Sequence, residues 1–249
     1  SGSIQNYKKM NISLIGYGKM GKEIEKLCIQ RNHNVYSIVD PRLNTDLQIL
    51  EGTDLAIEFT EPRAAISNIR FCIDRGIPVV SGTTGWQSEL ASLKQYCLDH
   101  DGSLFYSSNF SIGVHLFWKI SAQLAKLMNS QDAYQLGLHE IHHDQKKDAP
   151  SGTAVTLAER MIAASTRFQT WHGQETIAFS SMDSIPISSE RKGDVPGIHL
   201  VEYRSAHDRI ILTHEAYSRS GFVEGVVRAA EWLNGRKGVF GMDDLFSGV

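Results

Sequence analysis

The chain has 249 residues, a length that suits one large or two small domains. Hydrophobic residues make up 41% and charged residues 21% of it, a composition typical of globular proteins. Its formal net charge of -3 argues against a general nucleic-acid-binding protein, because such proteins usually carry a basic surplus on one face. No run approaches the roughly 18 apolar residues of a transmembrane helix, and the polar stretch Ser1–Lys9 lacks the apolar core of a signal peptide.

Strand and helix patterns alternate over the first hundred residues, which predicts a parallel sheet covered by helices on both faces. Apolar runs predict the strands, and apolar positions at helical spacing predict the helices. We therefore assign residues 10–108 to a Rossmann-type dinucleotide-binding domain of the α/β class. The predicted strands are 11–15, 34–39, 55–60, 77–80 and 103–107, and the predicted helices are 19–30, 62–74 and 87–98.

A different pattern begins after Asn109, where a long amphipathic helix precedes several strands with few helices between them. Consecutive strands indicate a mixed or antiparallel sheet, so we assign residues 109–218 to an α+β domain. The segment 219–249, with a helix over 220–234, is expected to pack back on the first domain. The other predicted elements are helices at 112–128 and 151–164 and strands at 133–142, 176–179, 184–188, 198–204 and 209–214. The apolar face of the first of these helices is predicted to contain Leu116, Phe117, Ile120, Leu124, Leu127 and Met128.

The cysteines indicate the compartment in which the protein works. Cys28, Cys72 and Cys97 are widely spaced and odd in number, which favours buried thiols in a reducing cytosol over disulfides. We therefore expect a cytoplasmic protein. From the net charge and the lack of a long apolar run, we expect it to bind small molecules and neither nucleic acid nor a membrane.

A glycine-rich turn follows the first predicted strand and opens the first predicted helix. Gly16 permits a tight turn, Gly18 lets the backbone approach a pyrophosphate, and Gly21 allows the helix to pack closely on the strand. The N–H groups at the helix start would face the anion. The pattern predicts a dinucleotide site, although a glycine turn without a ligand is the alternative. The turn consists of Gly16, Tyr17, Gly18, Lys19, Met20 and Gly21.

The end of the second predicted strand bears on the choice of cofactor. Asp40 is placed to bond the ribose hydroxyls and would repel a 2′-phosphate, which favours NADH. Arg42 lies two residues later and could bind that phosphate, which favours NADPH. The sequence leaves this choice open, with a preference for NADH.

Two more turns follow strands of the predicted parallel sheet. Ligands of open α/β sheets bind at the carboxyl ends of the strands, where these turns lie. Gly82-Thr83-Thr84-Gly85 is therefore expected to border the nicotinamide, and Ser107-Ser108-Asn109-Phe110 is expected to supply backbone contacts to the cofactor amide.

The segment His139-Glu140-Ile141-His142-His143 fits the H-E-x-x-H pattern of zinc hydrolases. That chemistry needs a helix, so that His139 and His143 share one face. The preceding residues instead alternate with a period of two, with Tyr134, Leu136 and Leu138 pointing one way, which predicts a strand. On a strand the two histidines would lie too far apart for one ion, and we predict that no metal binds.

The same segment also suits anion binding with proton donation. His142 and His143 would point to opposite sides of an extended backbone, so one of them can face a substrate. Lys146 follows in a loop, and Pro150-Ser151-Gly152-Thr153 opens a helix whose free N–H groups can hold a carboxylate. These groups suit a small dianionic substrate that must also be protonated. A solvated charged loop with a capped helix is the alternative.

Taken together, these motifs resemble the 4-hydroxy-tetrahydrodipicolinate (dihydrodipicolinate) reductases, from about Met10 to Leu245. The glycine turn is widespread, whereas the segment from Lys146 to Thr153 is specific to that family. The resemblance rests on the glycine turn, Glu58-Phe59-Thr60, Gly82-Thr83-Thr84-Gly85, Ser108-Asn109-Phe110-Ser111, His142-His143 to Lys146, Asp148 to Ala154, and Arg191 to Gly197.

The resemblance implies reduction of 4-hydroxy-tetrahydrodipicolinate to tetrahydrodipicolinate with NADH or NADPH, in the diaminopimelate route to lysine. It implies a substrate domain with an open mixed sheet that forms the core of a homotetramer. His142 would be the proton donor and Lys146 its partner in acid catalysis or carboxylate binding, while His143, Gly152 and Thr153 would bind the dicarboxylate substrate. The expected cofactor contacts are Gly16, Tyr17, Gly18, Lys19, Met20, Gly21, Asp40, Phe59, Gly82, Thr83, Thr84, Ser107, Ser108, Asn109 and Phe110.

Other classes of function remain open from the sequence. A diaminopimelate or aspartate dehydrogenase would share the first half of the chain, but the segment 142–153 argues against it. A nicotinamide-sensing protein would keep the fold and bind NADH without turnover.

Overall fold

The computed structural model describes residues 8–180 and 183–247. They form two compact units: the first runs to Ser111 and resumes at Ser220, and the second is Ile112–Arg219. Among the described residues, no helix is both long enough and apolar enough to cross a membrane.

The regular elements within the described ranges are eleven strands and seven α-helices. The strands are β1 Asn11–Ile15, β2 Asn34–Val39, β3 Leu55–Glu58, β4 Val79–Ser81, β5 Ser103–Tyr106, β6 Gln135–His142, β7 Thr170–Gln174, β8 Ser184–Arg191, β9 Ile198–Arg204, β10 Arg209–Glu215 and β11 Gly238–Phe240. The helices are α1 Lys19–Gln30, α2 Pro62–Asp74, α3 Leu90–Asp99, α4 Ile112–Leu127, α5 Gly152–Ala164, α6 Ser220–Leu233 and α7 Met242–Leu245.

The first unit is built on a parallel sheet whose strand order, over the described residues, is β11-β5-β4-β3-β1-β2. Its helices bury apolar residues at helical spacing, such as Ile24 and Cys28 of α1 and Ile69 and Cys72 of α2. Helices α1, α2 and α3 connect β1 to β2, β3 to β4 and β4 to β5, as expected for a Rossmann-type fold. Between β2 and β3 the chain forms only two short 3₁₀ turns, Pro41–Leu43 and Leu47–Leu50. The predicted α/β class is confirmed for this unit.

Helix α6 is joined to the end of α1 by a buried carboxylate. The side chain of Glu231 is fully buried and accepts hydrogen bonds from the Arg31 guanidinium at 2.6 Å and from His33 Nε2 at 3.1 Å. On the same helix, a Cβ at Gly225 would lie 1.7 Å from the carbonyl oxygen of Phe110, so only glycine lets α6 pack this closely on the turn after β5.

The second unit contains a mixed sheet of strand order β10-β9-β6-β8-β7 over the described residues. The pairs β6–β8 and β7–β8 are parallel, whereas β6–β9 and β9–β10 are antiparallel. One face of this sheet packs against α4 and α5 through an apolar core. Along β6, Leu136, Leu138, Glu140 and His142 are buried on this face, which confirms the predicted alternation.

Two predictions about the second unit are wrong. Of the six residues placed on the apolar face of α4, Leu116, Ile120 and Leu127 are 43%, 53% and 73% exposed. The buried side is rotated from the predicted one, because small residues such as Ser121 and Ala125 allow the helix to pack closely on its neighbours. The strand expected at 176–179 is not formed, and the strand in this region is β7, which pairs with β8.

The segment predicted as a strand at 176–179 crosses the outer side of β6 instead. A Cβ at Gly137 would lie 2.6 Å from the carbonyl oxygen of Ala178, and the amide of Ser180 donates to the carbonyl of Leu136 at 2.7 Å. These contacts satisfy the backbone of the segment without a strand ladder. The short strand β11 has no counterpart in the sequence prediction, since three residues are too few to show an alternation of apolar and polar side chains.

Candidate active site

The glycine turn of the first unit has the geometry of an anion cradle. Gly16 has a φ of +95°, and a Cβ there would lie 2.1 Å from the carbonyl oxygen of Phe59. A Cβ at Gly21 would lie 2.4 Å from the carbonyl oxygen of Gly16, which explains how α1 lies so close to β1. At Gly18 a Cβ would meet no atom within 4 Å among the described residues, so the space before the helix is open.

The start of α1 can itself receive an anion. The helix begins at Lys19 directly after Gly18, and no described side chain caps it. Its first N–H groups therefore lack partners within the helix and face the open side of the turn. The sequence and structure of this turn fit the pyrophosphate of a dinucleotide.

Asp40 lies beside the turn and joins it to Arg42. The buried carboxylate accepts the N–H of Tyr17 at 3.0 Å and the backbone N–H and Nε of Arg42 at 2.8 Å each. The hydrogen bonds from Arg42 hold the pKa of Asp40 well below its ordinary range, even though burial opposes them. The Arg42 side chain is itself 69% exposed. A ribose at Asp40 would therefore share the carboxylate with Arg42 or displace that guanidinium.

A buried carboxylate, Glu58, organises the ends of β3 and β4. It accepts hydrogen bonds from the hydroxyls of Ser81 at 2.6 Å and Thr83 at 2.9 Å and from the backbone N–H of Thr60 at 3.0 Å. No role was predicted for Glu58, although an acidic residue that ends a buried strand two residues before a threonine was the available signal. These bonds fix the turn that contains Thr83.

The aromatic ring of Phe59 lies against the same turn. A Cβ at Gly82 would lie 2.1 Å from that ring, so glycine is required for the ring to pack here. The turn after β5 is equally well ordered by its own bonds: the Ser107 hydroxyl donates to the carbonyl of Asn109 at 2.6 Å, and the Asn109 side-chain oxygen accepts the N–H of Ser111 at 2.9 Å. The predicted cofactor residues of these turns thus lie at the carboxyl edge of the parallel sheet.

In the second unit, a row of polar side chains crosses the buried face of the sheet. Glu140 on β6 pairs in register with Ser189 on β8 and His199 on β9, and His199 pairs with His214 on β10. One row further along β6, His142 pairs with Arg191 of β8. Strand alternation places all of these side chains on the face that bears α5.

Glu140 is fully buried at the centre of this row. Its Oε1 accepts the backbone N–H of Ser151 at 3.0 Å and the hydroxyl of Ser189 at 2.8 Å. Its Oε2 lies 3.5 Å from Nδ1 of His142 and 3.7 Å from Nε2 of His199. Burial by itself would raise the pKa of Glu140, but the bonds from Ser151 and Ser189 outweigh burial and leave the pKa below its ordinary value. The carboxyl group is therefore ionised near neutral pH.

The histidines of the row are held in their neutral form. Burial lowers the pKa of His142, although the charge of Glu140 opposes this shift. Burial and the neighbouring His142 lower the pKa of His199 to about 3. The two rings lie edge to face with centroids 5.0 Å apart. Protonation of a buried imidazole here therefore needs a nearby negative charge, such as that of Glu140, to stabilise the imidazolium.

The loop after β6 presents cations to the same end of the sheet. Lys146 Nζ donates to both carboxylate oxygens of Asp148, at 2.8 and 2.9 Å, and this pair holds the pKa of Asp148 below its ordinary value. Arg191 holds the loop by donating from Nε to the carbonyl of Lys146 at 3.2 Å and from its guanidinium to the carbonyl of Asp148. Arg191 was identified only as part of a turn in the sequence, and its place opposite His142 follows from the β6–β8 register.

The helix start expected to hold a carboxylate is present at α5. Ser151 caps the helix with its hydroxyl, which accepts the N–H of Ala154 at 3.2 Å, while Gly152 is exposed and a Cβ there would meet no described atom within 4 Å. Thr153 is half-buried in the first turn, and His143 is the first residue after β6. The structure thus places His142, Lys146, Gly152 and Thr153 at the carboxyl end of β6 and the start of α5, together with Arg191.

The zinc-hydrolase interpretation is wrong. His139 and Glu140 lie on strand β6 rather than on a helix, and their side chains face opposite sides of the sheet. His139 contacts Ser188 at 3.1 Å on the outer side. Donor atoms of Glu140, His142 and His199 do lie within 4.8 Å of one another. However, Arg191 lies 3.6 Å from the same carboxylate and would repel a cation, so we assign no metal to this cluster.

Comparison with known proteins identifies the family. Two family models match the chain: the N-terminus of dihydrodipicolinate reductase over residues 10–110 and its C-terminus over residues 113–246. The chain belongs to the dihydrodipicolinate reductase family. A 4-hydroxy-tetrahydrodipicolinate reductase of Christiangramia forsetii is 43% identical over 239 residues, covering 96% of this chain and 98% of the relative. One of Oleidesulfovibrio alaskensis is 39% identical over 184 residues, covering 72% of this chain and 70% of the relative.

Solved structures agree on the fold. The dihydrodipicolinate reductase of Paenisporosarcina sp. TG-14, solved with dipicolinate bound, matches with a TM-score of 0.75 at 22% identity over 96% of this chain and 100% of that chain. Aspartate dehydrogenase of Thermotoga maritima matches with a TM-score of 0.51 at 12% identity over 92% of this chain and 98% of that chain, a likeness of fold alone. As a member of the reductase family, the chain is an NAD(P)H-dependent oxidoreductase of lysine and diaminopimelate biosynthesis, as the resemblance predicted. A sensor without turnover is therefore not supported.

Proposed function

We propose that this protein reduces 4-hydroxy-tetrahydrodipicolinate to tetrahydrodipicolinate: one hydride and one proton enter the substrate, and one water leaves it. The observation that carries the proposal is the polar cluster at the end of β6, where His142, Lys146 and Arg191 lie with the open start of α5. Cationic side chains and a helix N-terminus can bind the two carboxylates of the substrate, and a histidine can donate the proton.

The first unit is proposed to hold the pyridine nucleotide. The open turn at Gly18 and the start of α1 would receive the pyrophosphate, and Asp40 would receive the ribose. The turns 82–84 and 107–110, with Phe59, would border the nicotinamide, which when bound supplies the hydride to C4 of the substrate. We propose NADH as the preferred cofactor, because the ionised Asp40 opposes a 2′-phosphate.

The second unit is proposed to bind and protonate the substrate. Lys146, His143 and the N–H groups at Gly152 and Thr153 would hold the two carboxylates. The reductase of Paenisporosarcina sp. TG-14 was solved with dipicolinate, a planar dicarboxylate of this kind. His142 would donate the proton, because its ring lies on the buried face of β6 within reach of a stabilising carboxylate.

We also propose a homotetramer that works in the cytoplasm. The outer face of the second sheet presents half-exposed or exposed apolar side chains, among them Ile198, Leu200 and Ile211, which is suitable for sheet-to-sheet packing between subunits. Cys28, Cys72 and Cys97 are buried free thiols, as expected in a reducing compartment.

The test follows absorbance at 340 nm with pyruvate, aspartate semialdehyde, a synthase that condenses them, and either NADH or NADPH. We expect loss of absorbance that requires the synthase and is faster with NADH. Absence of loss with both cofactors, in a protein that binds NADH, would refute the proposed reaction. Faster loss with NADPH would refute the cofactor preference alone.

A further inference from the structure

Two buried polar atoms in the second unit face each other without a hydrogen bond. Glu140 Oε2 and His142 Nδ1 are 3.5 Å apart, and neither has a hydrogen-bond partner among residues 8–180 and 183–247. A buried polar atom without a partner is costly, so such atoms are almost always paired in a working protein. Hydrogen bonds at catalytic sites are often long until the substrate binds. A small rotation of the His142 ring would close this one.

His142 is a better partner for Glu140 Oε2 than the other nearby imidazole. Nε2 of His199 lies 3.7 Å from Oε2, but the same nitrogen lies 3.3 Å from the hydroxyl of Ser151 and can bond there. His142 Nδ1 has no such alternative within the described part of the chain. The free oxygen of Glu140 is therefore matched to His142.

The other oxygen of Glu140 is already fixed. Oε1 accepts the N–H of Ser151, which caps α5, and the hydroxyl of Ser189 on β8. The start of α5 and strand β8 thus fix the plane of the carboxylate independently of His142. Because Ser151 directly precedes Gly152, one carboxylate lies between the proposed proton donor and the turn proposed to bind a substrate carboxylate.

We propose that Glu140 is the positioning residue of His142. Its Oε2 accepts the Nδ1 proton of the imidazole, which makes Nε2 the nitrogen that exchanges the proton with the substrate. The negative charge of Glu140 also stabilises the imidazolium before the proton leaves, and buried carboxylates orient imidazoles in this way. The inference rests on the proposed role of His142 as proton donor, and it assigns Glu140 no contact with substrate or cofactor.

Replacement of Glu140 by glutamine gives a sharp expectation. The two donors at Oε1, Ser151 and Ser189, would keep the amide oxygen of Glu140→Gln in that position. The amide NH₂ would then face His142 Nδ1, which must become an acceptor, and the ring proton would move to Nε2. We expect kcat to fall about 100-fold with little change in KM for the nicotinamide cofactor, because an acid held in the wrong tautomer loses its function.

The chain offers a matched control on the opposite face of the same sheet. Glu190 Oε2 lies 3.5 Å from His139 Nε2, the same separation as in the proposed pair, but its side chain is 46% exposed. Glu190→Gln removes an equivalent charge from an equivalent imidazole contact. It should leave the His142 tautomer unchanged, and kcat as well where light scattering shows that the variant assembles as the unsubstituted protein does.

The experiment combines imidazole ¹⁵N NMR with steady-state kinetics on the full chain. The His142 signals are assigned by their absence in His142→Gln. We expect neutral His142 to carry its proton on Nδ1 in the unsubstituted protein and on Nε2 in Glu140→Gln. An Nε2 proton in the unsubstituted protein would overturn the proposal even if Glu140→Gln failed to fold, and so would unchanged kcat in a folded Glu140→Gln. Full turnover of His142→Gln would instead refute the donor role itself.

Discussion

At the scale of single residues, Arg42 gives the clearest prediction about cofactor choice. Its guanidinium is exposed and held on Asp40, so it is available to a 2′-phosphate at the end of β2. Since a charge-assisted hydrogen bond contributes about 1.5–3 kcal/mol, Arg42→Ala should raise KM for NADPH about 10- to 100-fold and change KM for NADH little.

Steady-state kinetics with both cofactors checks this expectation. Arg75→Ala is a suitable control, because Arg75 stacks on Phe71 at the end of α2, where the amino ends of the strands lie. An equal change in KM for NADH and for NADPH in Arg42→Ala would show that the guanidinium does not bind the 2′-phosphate.

His142 gives the second prediction at this scale. His142→Gln keeps a polar side chain on β6 but cannot donate an imidazole proton, so kcat should fall about 100-fold or more. Affinity for NADH, measured by fluorescence titration, should change only modestly, since the proposed nucleotide contacts all lie in the first unit. Full turnover in the variant would show that another group supplies the proton.

At the scale of elements, the polar row across the second sheet makes stability depend on pH. Burial lowers the pKa of His142, His199 and His214, to about 3 for His199, whereas these groups titrate near 6.5 in an unfolded chain. As the pH falls below about 6.5, the unfolded state therefore binds more protons and the free energy of unfolding decreases. For His199, whose pKa falls to about 3, the slope should approach about 1.4 kcal/mol per pH unit below pH 6.5 and continue to about pH 3, and His142 and His214 should add to the decrease in the same direction.

Urea unfolding at pH 7, 6 and 5 measures this slope. Across that range the carboxylates remain mostly ionised, so the histidines dominate the change. His199→Gln should be less stable at pH 7 but should lose stability less steeply as the pH falls. Parallel curves for the two proteins would show that His199 is protonated equally in both states.

The elements also show where sequence reasoning succeeds. The glycine turn, Asp40 and the segment from His142 to Thr153 were identified because each lies within a short local pattern. Glu140 was considered only as part of the zinc-hydrolase pattern and Arg191 only as part of a turn, because their partners come from strand register: Arg191 is opposite His142 only through the β6–β8 pairing. The exposed positions of α4 were misassigned for a similar reason, since apolar spacing gives the existence of a helix but packing decides which side is buried.

At the scale of the whole molecule, the proposed tetramer depends on the outer face of the second sheet. Leu200 lies in the middle of β9 and points to this face, opposite the side that carries the apolar core. If subunits pack there, Leu200→Glu would bury a charge in the interface, at a cost of several kcal/mol per subunit. Light scattering should then give a mass near that of one 27.8 kDa chain, or of a dimer, rather than four chains.

Leu127→Glu is the matched control for the tetramer. Leu127 is 73% exposed at the end of α4, on the opposite side of the sheet, so the same substitution there should leave the mass unchanged. A tetramer that survives Leu200→Glu but dissociates with Leu127→Glu would place the interface on the exposed side of α4. Because Leu200 and His199 are neighbours on one strand, dissociation should also alter turnover, and activity measured against protein concentration would show whether assembly supports the site.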